Sequence, residues 1–267
     1  MHKIGINLEA KPGLNAADYI ARAHEVGFEA LLTETPTERE LSVIADALAR
    51  HGMRYDMIHA PFRGIINDIW LEGEAGERTL RELMSAVDRA RAVGCVPAVV
   101  VHLSSGKTPP PVTDIGAARY DKLVEYADGK GVRLAFENQR MPWNLAWAMG
   151  RYAAAPHVGF CWDCGHEGCF TPDTAFMSLY GDRLLCTHIH DNDRAPDNDQ
   201  HMIPFDGKIN FSRVTAQLRE SGFAGALTLE LFAANTHAYD HLPCADFIAQ
   251  AAVAVKRLRR MVDGFDW

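Results

Sequence analysis

Histidines and carboxylates cluster in the last third of the chain. His188 and His190 follow the apolar residues 184–186, and Asp199 and His201 come in the next polar stretch. Side chains two apart on a strand share a face, so His188 and His190 would leave the strand side by side. Neutral imidazole is the commonest protein ligand for transition metals, and carboxylates complete such sites. This stretch therefore predicts a metal-binding site.

The ends of other predicted strands carry the same residue types. The set comprises Glu9, Glu34, His59, His102, Glu137, Asp163, His166 and Glu230. In a barrel of parallel strands, chemistry is built at the carboxyl ends of the strands, so these residues would converge on one rim. Individually they have plainer interpretations: Glu137 and Glu230 could be surface carboxylates that start loops, and His59 and His102 could be core histidines.

Apolar, strand-like runs alternate with helix-period segments along the chain. The predicted strands are Ile4–Leu8, Ala30–Thr33, Met57–His59, Ala98–His102, Arg133–Glu137, Val158–Asp163, Leu184–His190 and Ala226–Glu230. The predicted helices occupy residues 16–26, 38–51, 74–93, 114–130, 144–153, 173–180, 212–221 and 245–262. Eight such units predict an α/β fold, a (β/α)8 TIM barrel, as a single domain over residues 1–267. An open doubly wound sheet is the alternative, although no G-x-G-x-x-G motif follows the first strand.

The composition limits the classes of protein. The chain has 267 residues, 48% of them hydrophobic, and a net charge of −8. An acidic balance argues against a nucleic-acid binder, which usually has a basic footprint. No signal peptide is recognisable, and no apolar run reaches the ~18 residues that span a bilayer. We therefore expect a soluble, cytoplasmic protein without a membrane partner.

The six cysteines include a C-x-x-C pair, Cys161 and Cys164. Such a pair can indicate redox or zinc chemistry. It falls within a predicted strand, however, and no second pair accompanies it. We expect reduced thiols, Cys95 among them, that act as small buried hydrophobic residues.

Five short motifs carry a family resemblance. They are residues 136–138 (FEN), 162–166 (WDCGH), 188–193 (HIHDND), 199–201 (DQH) with 207–211 (GKINF), and 229–230 (LE). They resemble the xylose isomerase-like TIM barrel superfamily, which contains sugar and sugar-phosphate isomerases and epimerases and the endonuclease IV family of DNA-repair enzymes. In the epimerase branch, the resemblance implies one divalent ion held by Glu137, Asp163, His190 and Glu230. It also implies that His166 and Arg194 contact substrate hydroxyls.

The repair branch of the same superfamily implies a three-metal cluster. Its pattern maps onto His59, His102, Glu137, Asp163, His166, His188, Asp199, His201 and Glu230. The two branches favour different members of the pair His188 and His190, so His188 joins His166, Asp199 and His201 as a further candidate ligand. The first two loops each offer one basic residue, Lys11 and Arg39, which is few for phosphate binding.

These patterns together favour a metal-dependent sugar isomerase or ketose epimerase that acts through an enediolate. Glu137 and Glu230 would be its acid–base pair, and His59, His102, His166 and Arg194 would contact the substrate. Manganese, magnesium, cobalt and zinc all suit the mixed carboxylate and imidazole shell. A phosphorylated sugar would need more positive charge than Arg194, Lys107 and Arg140 offer, which favours an unphosphorylated sugar.

Other functions stay open at this stage. One is an endonuclease IV-like multi-metal phosphodiesterase acting on abasic DNA. Another is a noncatalytic sugar- or metal-binding barrel, and dehydratase or decarboxylase chemistry would use the same groups. A homo-oligomer is compatible with the sequence.

Overall fold

Parallel strands form the framework of the protein. A computed structural model describes residues 1–93 and 98–264. The strands in these ranges are β1 (Ile4–Asn7), β2 (Ala30–Glu34), β3 (Arg54–His59), β4 (Ala98–Val101), β5 (Leu134–Glu137), β6 (Val158–Asp163), β7 (Leu184–His188) and β8 (Leu227–Leu229). They form one eight-stranded sheet in the order β7-β6-β5-β4-β3-β2-β1-β8. The predicted TIM barrel is confirmed.

Helices cover the outside of this sheet. Those in the described ranges are α1 (Ala16–Glu25), α2 (Glu38–His51), α3 (Glu74–Ala92), α4 (Asp114–Lys130), α5 (Pro142–Arg151), α6 (Cys164–Cys169), α7 (Phe176–Tyr180), α8 (Phe211–Glu220) and α9 (Cys244–Asp263). Helix α6 has no counterpart among the predicted helices. It starts directly after β6, where the Asp163 carboxylate accepts the backbone N–H of His166 at 2.7 Å. Among the described residues, no helix combines the length and the apolar character needed to cross a bilayer.

The apolar core has two parts. The larger part lies between the strands and the helices, and the smaller part fills the barrel lumen. The lumen is filled by Leu32, Met57, Ala98, Val100, Ala135, Cys161 and Cys186. The described cysteines are buried and free, as expected for reduced thiols, while Cys95 lies outside the described residues. This apolar plug forms the floor beneath the polar rim.

The barrel closes between β7 and β8 through a short seam. Ile189 donates its backbone N–H to the Thr228 carbonyl at 2.9 Å and accepts from the Glu230 N–H at 3.2 Å. The Thr187 hydroxyl donates to the Ala226 carbonyl and accepts the Thr228 N–H, both at 3.3 Å. A side chain therefore replaces part of the main-chain ladder at the closure.

Two asparagine side chains extend the ladder past the strand ends. The Asn138 amide donates to the Asp163 carbonyl and accepts the Asp163 N–H, both at 2.8 Å. Asn7 does the same for Leu231, at 2.9 and 2.8 Å. Because Leu231 follows Glu230 directly, these amides fix the backbone at two candidate site residues.

Candidate metal centre

Four side chains from adjoining strand ends converge on the floor of the rim. We call Glu137, Asp163, His188 and Glu230 the central cluster, because one potential donor atom from each lies within 4.8 Å of the others. His188 Nδ1 lies 3.2 Å from Glu137 Oε1, 3.4 Å from Glu230 Oε2 and 4.0 Å from Asp163 Oδ2. All four residues are buried. Buried carboxylates repel one another unless positive charge compensates them, so this donor set fits a divalent cation.

His190 lies in a second group of side chains, which we call the outer cluster. Its members are His166, His190, Asp199 and His201, again with donor atoms within 4.8 Å of one another. The His190 and His201 rings stack with centroids 3.8 Å apart. His190 Nε2 still reaches Asp163 Oδ1 at 2.9 Å. The structure therefore brings His188, rather than His190, into the central cluster.

A third group shares Glu137 with the central cluster. His102 Nε2 lies 2.8 Å and His59 Nε2 3.3 Å from Glu137 Oε2, and the two imidazole nitrogens are 3.2 Å apart. Burial opposes protonation of His59, but Glu137 and Glu34 outweigh it and raise the pKa of His59 to about 9. Burial instead lowers the pKa of His102 to about 4. One charged and one neutral imidazole can thus face the same carboxylate.

Several ring and carboxylate atoms in these groups are buried without a partner. Within the described residues, four such atoms have no hydrogen-bond partner: His102 Nδ1, His188 Nε2, His190 Nδ1 and Asp199 Oδ1. Buried polar atoms in native proteins are almost always satisfied by protein, water or an ion. The orphaned atoms lie in the three ligand groups, which supports a bound ion at this rim.

A cavity of about 240 Å³ opens above the central and outer clusters. Three of the four residues predicted to contact the substrate line it: His59, His102 and His166. Arg194 does not: it is exposed and lines a separate, smaller groove. The mouth of the cavity is instead lined by Arg63, Arg140, Phe62, Phe170 and Phe232.

Arg63 and the three phenylalanines at the mouth were not predicted from the sequence. They belong to loops after β3, α6 and β8, where no spacing rule relates them to one another. A usable signal was the position of Arg63 shortly after His59, in the loop that follows a strand bearing a candidate ligand.

Asp191 organises the loop that carries Asp199 and His201. Its buried carboxylate accepts the backbone N–H groups of Asn192, Phe205, Gly207 and Ile209 at 2.8–2.9 Å. Because these bonds consume both oxygens, Asp191 acts as an anchor for the loop rather than as a metal donor.

Replacing Asp191 with asparagine is expected to cost about 2 kcal/mol of unfolding free energy, because the amide NH2 would face backbone donors and leave some unsatisfied. Thermal or urea unfolding measures the loss, and Asp193→Asn is the control. Asp193 lies in the same loop but is partly exposed and accepts from Ala195 and Asn198. Equal stability of the two variants would contradict the anchoring role.

Gly165 permits the placement of His190. A Cβ at this position would lie 1.9 Å from His190 Cε1, so Gly165→Ala must displace the imidazole. We expect a loss of about 1–3 kcal/mol of stability, typical of overpacking. Gly129, in α4, has open space around its Cβ position, and Gly129→Ala is expected to stabilise by up to about 1 kcal/mol. Thermal unfolding of both variants checks the opposite signs, and two equal shifts would contradict the assigned packing.

Comparison with known proteins agrees with this architecture. The family model described as Xylose isomerase-like TIM barrel matches residues 20–261. The crystal structure of D-psicose 3-epimerase with D-tagatose from Clostridium cellulolyticum H10 is similar, with a TM-score of 0.79, 13% identity and coverage of 97% of this chain and 99% of that one. The apo 3-keto-D-glucoside 4-epimerase YcjR from E. coli has a TM-score of 0.74 at 17% identity, with 97% and 99% coverage. Identities this low show a shared fold.

Curated relatives match over part of their length. "Uncharacterized protein y4fM" from Sinorhizobium fredii is 36% identical over 74 residues, which cover 27% of this chain and 23% of that protein. "Uncharacterized protein MJ1311" from Methanocaldococcus jannaschii is 24% identical over 196 residues, which cover 66% of this chain and 65% of that protein. The family model spans most of the chain, and the chain therefore belongs to the xylose isomerase-like TIM barrel family.

Proposed function

We propose that the protein is a divalent-metal-dependent sugar isomerase or epimerase. The observation that carries the proposal is the central cluster: three buried carboxylates and one imidazole meet at the floor of a cavity. The cavity volume of about 240 Å³ lies below the ~300–1,000 Å³ typical of drug-sized ligands, which suits a small metabolite. The similar folds of two named sugar epimerases support a sugar as that metabolite.

Glu137, Asp163, His188 and Glu230 would hold the ion. Oxygen donors with one imidazole suit manganese, magnesium, cobalt or zinc. When bound, such an ion acts as a Lewis acid that stabilises negative charge on substrate oxygens. The protein residues then have to orient the sugar and move its protons.

Glu230 is the better placed of the two proposed bases. Glu137 is held by His102, His166 and His188 at 2.8–3.2 Å. Both residues line the cavity, but the Glu230 carboxylate has longer contacts, 3.4 Å to His188 and 3.6 Å to His201. A less restrained carboxylate can reach the C–H beside the substrate carbonyl and take its proton. Glu137, on β5, would serve the other side of the same carbon.

The substrate hydroxyls would be oriented by the histidines around the cavity. The ring of His166 is fixed by Asp199, 3.2 Å from its Nε2, and by the Asn138 carbonyl, 3.1 Å from its Nδ1. His59 Nδ1 faces the Ala60 carbonyl at 2.8 Å, which assigns the proton to that nitrogen. Such fixed rings suit hydrogen bonding to a polyhydroxylated ligand.

A multi-metal phosphodiesterase is the second candidate, and one observation favours it. Every position of the nine-residue repair pattern takes part in the three ligand groups, through His59 with His102, the central cluster and the outer cluster. Clustered ions of this kind activate water and neutralise a leaving oxygen in phosphoryl chemistry. The number of ions bound per chain distinguishes the two candidates.

Two measurements test the proposal. Elemental analysis of the purified protein is expected to give one tightly bound ion per chain, whereas three would favour the phosphodiesterase. Incubation of the metal-loaded protein with ketoses in heavy water is expected to place deuterium on the carbon beside the carbonyl. Mass spectrometry of the sugar measures this incorporation.

A noncatalytic barrel would bind metal and sugar without exchange. Nicking of abasic duplex DNA together with an absence of deuterium uptake from every ketose would overturn the isomerase proposal. Glu230→Gln protein serves as the control in both assays, since it removes the proposed base.

A further inference from the structure

One arginine at the cavity mouth, Arg63, forms no close ion pair with a carboxylate. Among residues 1–93 and 98–264, no Asp or Glu oxygen lies within 4.0 Å of the Arg63 guanidinium, although its charge lowers the pKa of Glu34 on the same cavity wall against the larger effect of burial, which raises it. Its Cζ instead lies 5.2 Å from the centroid of the Phe62 ring and 5.9 Å from that of Phe232. The two rings hold the cation at the mouth by cation–π contacts while leaving its N–H donors available.

A second arginine lines the same cavity. The Arg140 Cζ lies 3.5 Å above the Phe170 ring, and its Nε donates to Asp197 Oδ1 at 2.9 Å. Lys107 Nζ binds the other oxygen of Asp197 at 2.8 Å. Two cations thus share one carboxylate, so this part of the mouth also carries excess positive charge.

This arrangement separates charge along the cavity. The floor holds the carboxylates of the central cluster, and the mouth holds Arg63 and Arg140. Two further carboxylates line the wall: Glu34, and Asp199, which is paired with His166 and His201. A guanidinium group can donate to the hydroxyls of a neutral sugar, but its planar fork matches the paired oxygens of a carboxylate or phosphate best.

We infer that the substrate is an anionic sugar, whose carboxylate or phosphate group binds Arg63, with Arg140 beside it, at the end remote from the central cluster. This inference rests on the proposed function and names the substrate class. It also revises the preference for a substrate without phosphate, which was based on Arg194, Lys107 and Arg140. The structure places Arg194 elsewhere and adds Arg63.

Kinetics with three ligand types test the inference. The three substrates are a neutral ketose, a ketose phosphate and a ketose carboxylate. Each is measured with the wild-type protein, with Arg63→Gln and with the control variant Arg257→Gln. Arg257 also stacks on a phenyl ring, 3.9 Å from the Phe205 centroid, but does not line the cavity. We expect one anionic class to be preferred, and Arg63→Gln to raise its KM by about tenfold to a hundredfold with little change in kcat. KM for the neutral ketose should not change, and Arg257→Gln should match wild type.

Binding without turnover separates this inference from the proposed function. Calorimetric titration of the metal-loaded protein uses gluconate, glucitol 6-phosphate and glucitol, which have no carbonyl to enolise. Weaker binding of either anion, but not of glucitol, in Arg63→Gln supports the anion site even if no ketose is converted. The preferred anion identifies carboxylate or phosphate. Equal binding of all three polyols, or an equal loss for all three in Arg63→Gln, overturns the inference.

Discussion

Replacing Glu230 with glutamine is expected to lower kcat by about a thousandfold while the barrel stays folded. The substitution keeps the side-chain volume but removes both the proposed base and one negative charge of the central cluster. In metal-free protein, Tm should change little, because the substitution relieves repulsion among the three carboxylates but also weakens the attraction of Glu230 to His188 and His201.

Steady-state kinetics at saturating manganese, together with circular dichroism and thermal unfolding, measure this effect. Glu9→Gln is a suitable control, since Glu9 follows β1 on the same rim but lines a neighbouring cleft. A Glu230→Gln enzyme with a kcat near that of wild type would exclude Glu230 as the base.

Truncation of His188 is expected to weaken the tightest manganese site by about a hundredfold or more, since it removes a donor atom from the central cluster. Truncation of His190 should cost about tenfold or less, because His190 contacts the ligand Asp163 without belonging to that cluster. His188→Ala and His190→Ala form a matched pair, as both rings are fully buried.

Electron paramagnetic resonance of free manganese, or calorimetric titration, gives the two affinities. The reverse order would favour the ligand set that the family resemblance implies, with His190 as the fourth ligand. Thermal unfolding with and without manganese shows whether each variant is still folded.

The fold could be predicted because its signals are local. Continuous apolar runs such as Ala98–Val101 and the regular alternation of strands with helices specify a parallel barrel without any knowledge of contacts. Strand ends were less predictable: β7 ends at His188, although the prediction ran to His190. Beyond His188, Ile189 forms only an isolated bridge to Leu229, and Asp191 pairs with Met202. The short helix α6 carries two glycines and no apolar period, so only its Asp163 cap could have indicated it.

The site could be predicted in composition but not in grouping. Glu137, Asp163 and Glu230 end or follow their strands and converge as expected. His188 and His190 were expected to share a face because they are two residues apart. His190, however, lies beyond the end of β7, and its ring packs against Gly165. That distinction depends on the close approach of the two backbones, which sequence spacing does not encode.

The mouth of the cavity was the least predictable part. Arg63 and Arg194 are both exposed arginines in loops that follow strands with candidate ligands, and nothing in their local sequence separates them. Their positions depend on the paths of the loops, and the path after β7 is fixed by the hydrogen bonds of Asp191.

Because the seam between β7 and β8 is short, a bound ion would stabilise the closure of the barrel as well as take part in the chemistry. His188 ends β7 and Glu230 follows β8, so a cation bound by both would link two strands that share few backbone hydrogen bonds. Removing the ion with a chelator should therefore speed amide hydrogen exchange at residues 187–189 and 227–230 before it affects the β3–β4 pair. Loss of the ion would then open the barrel between β7 and β8 and abolish activity at the same time.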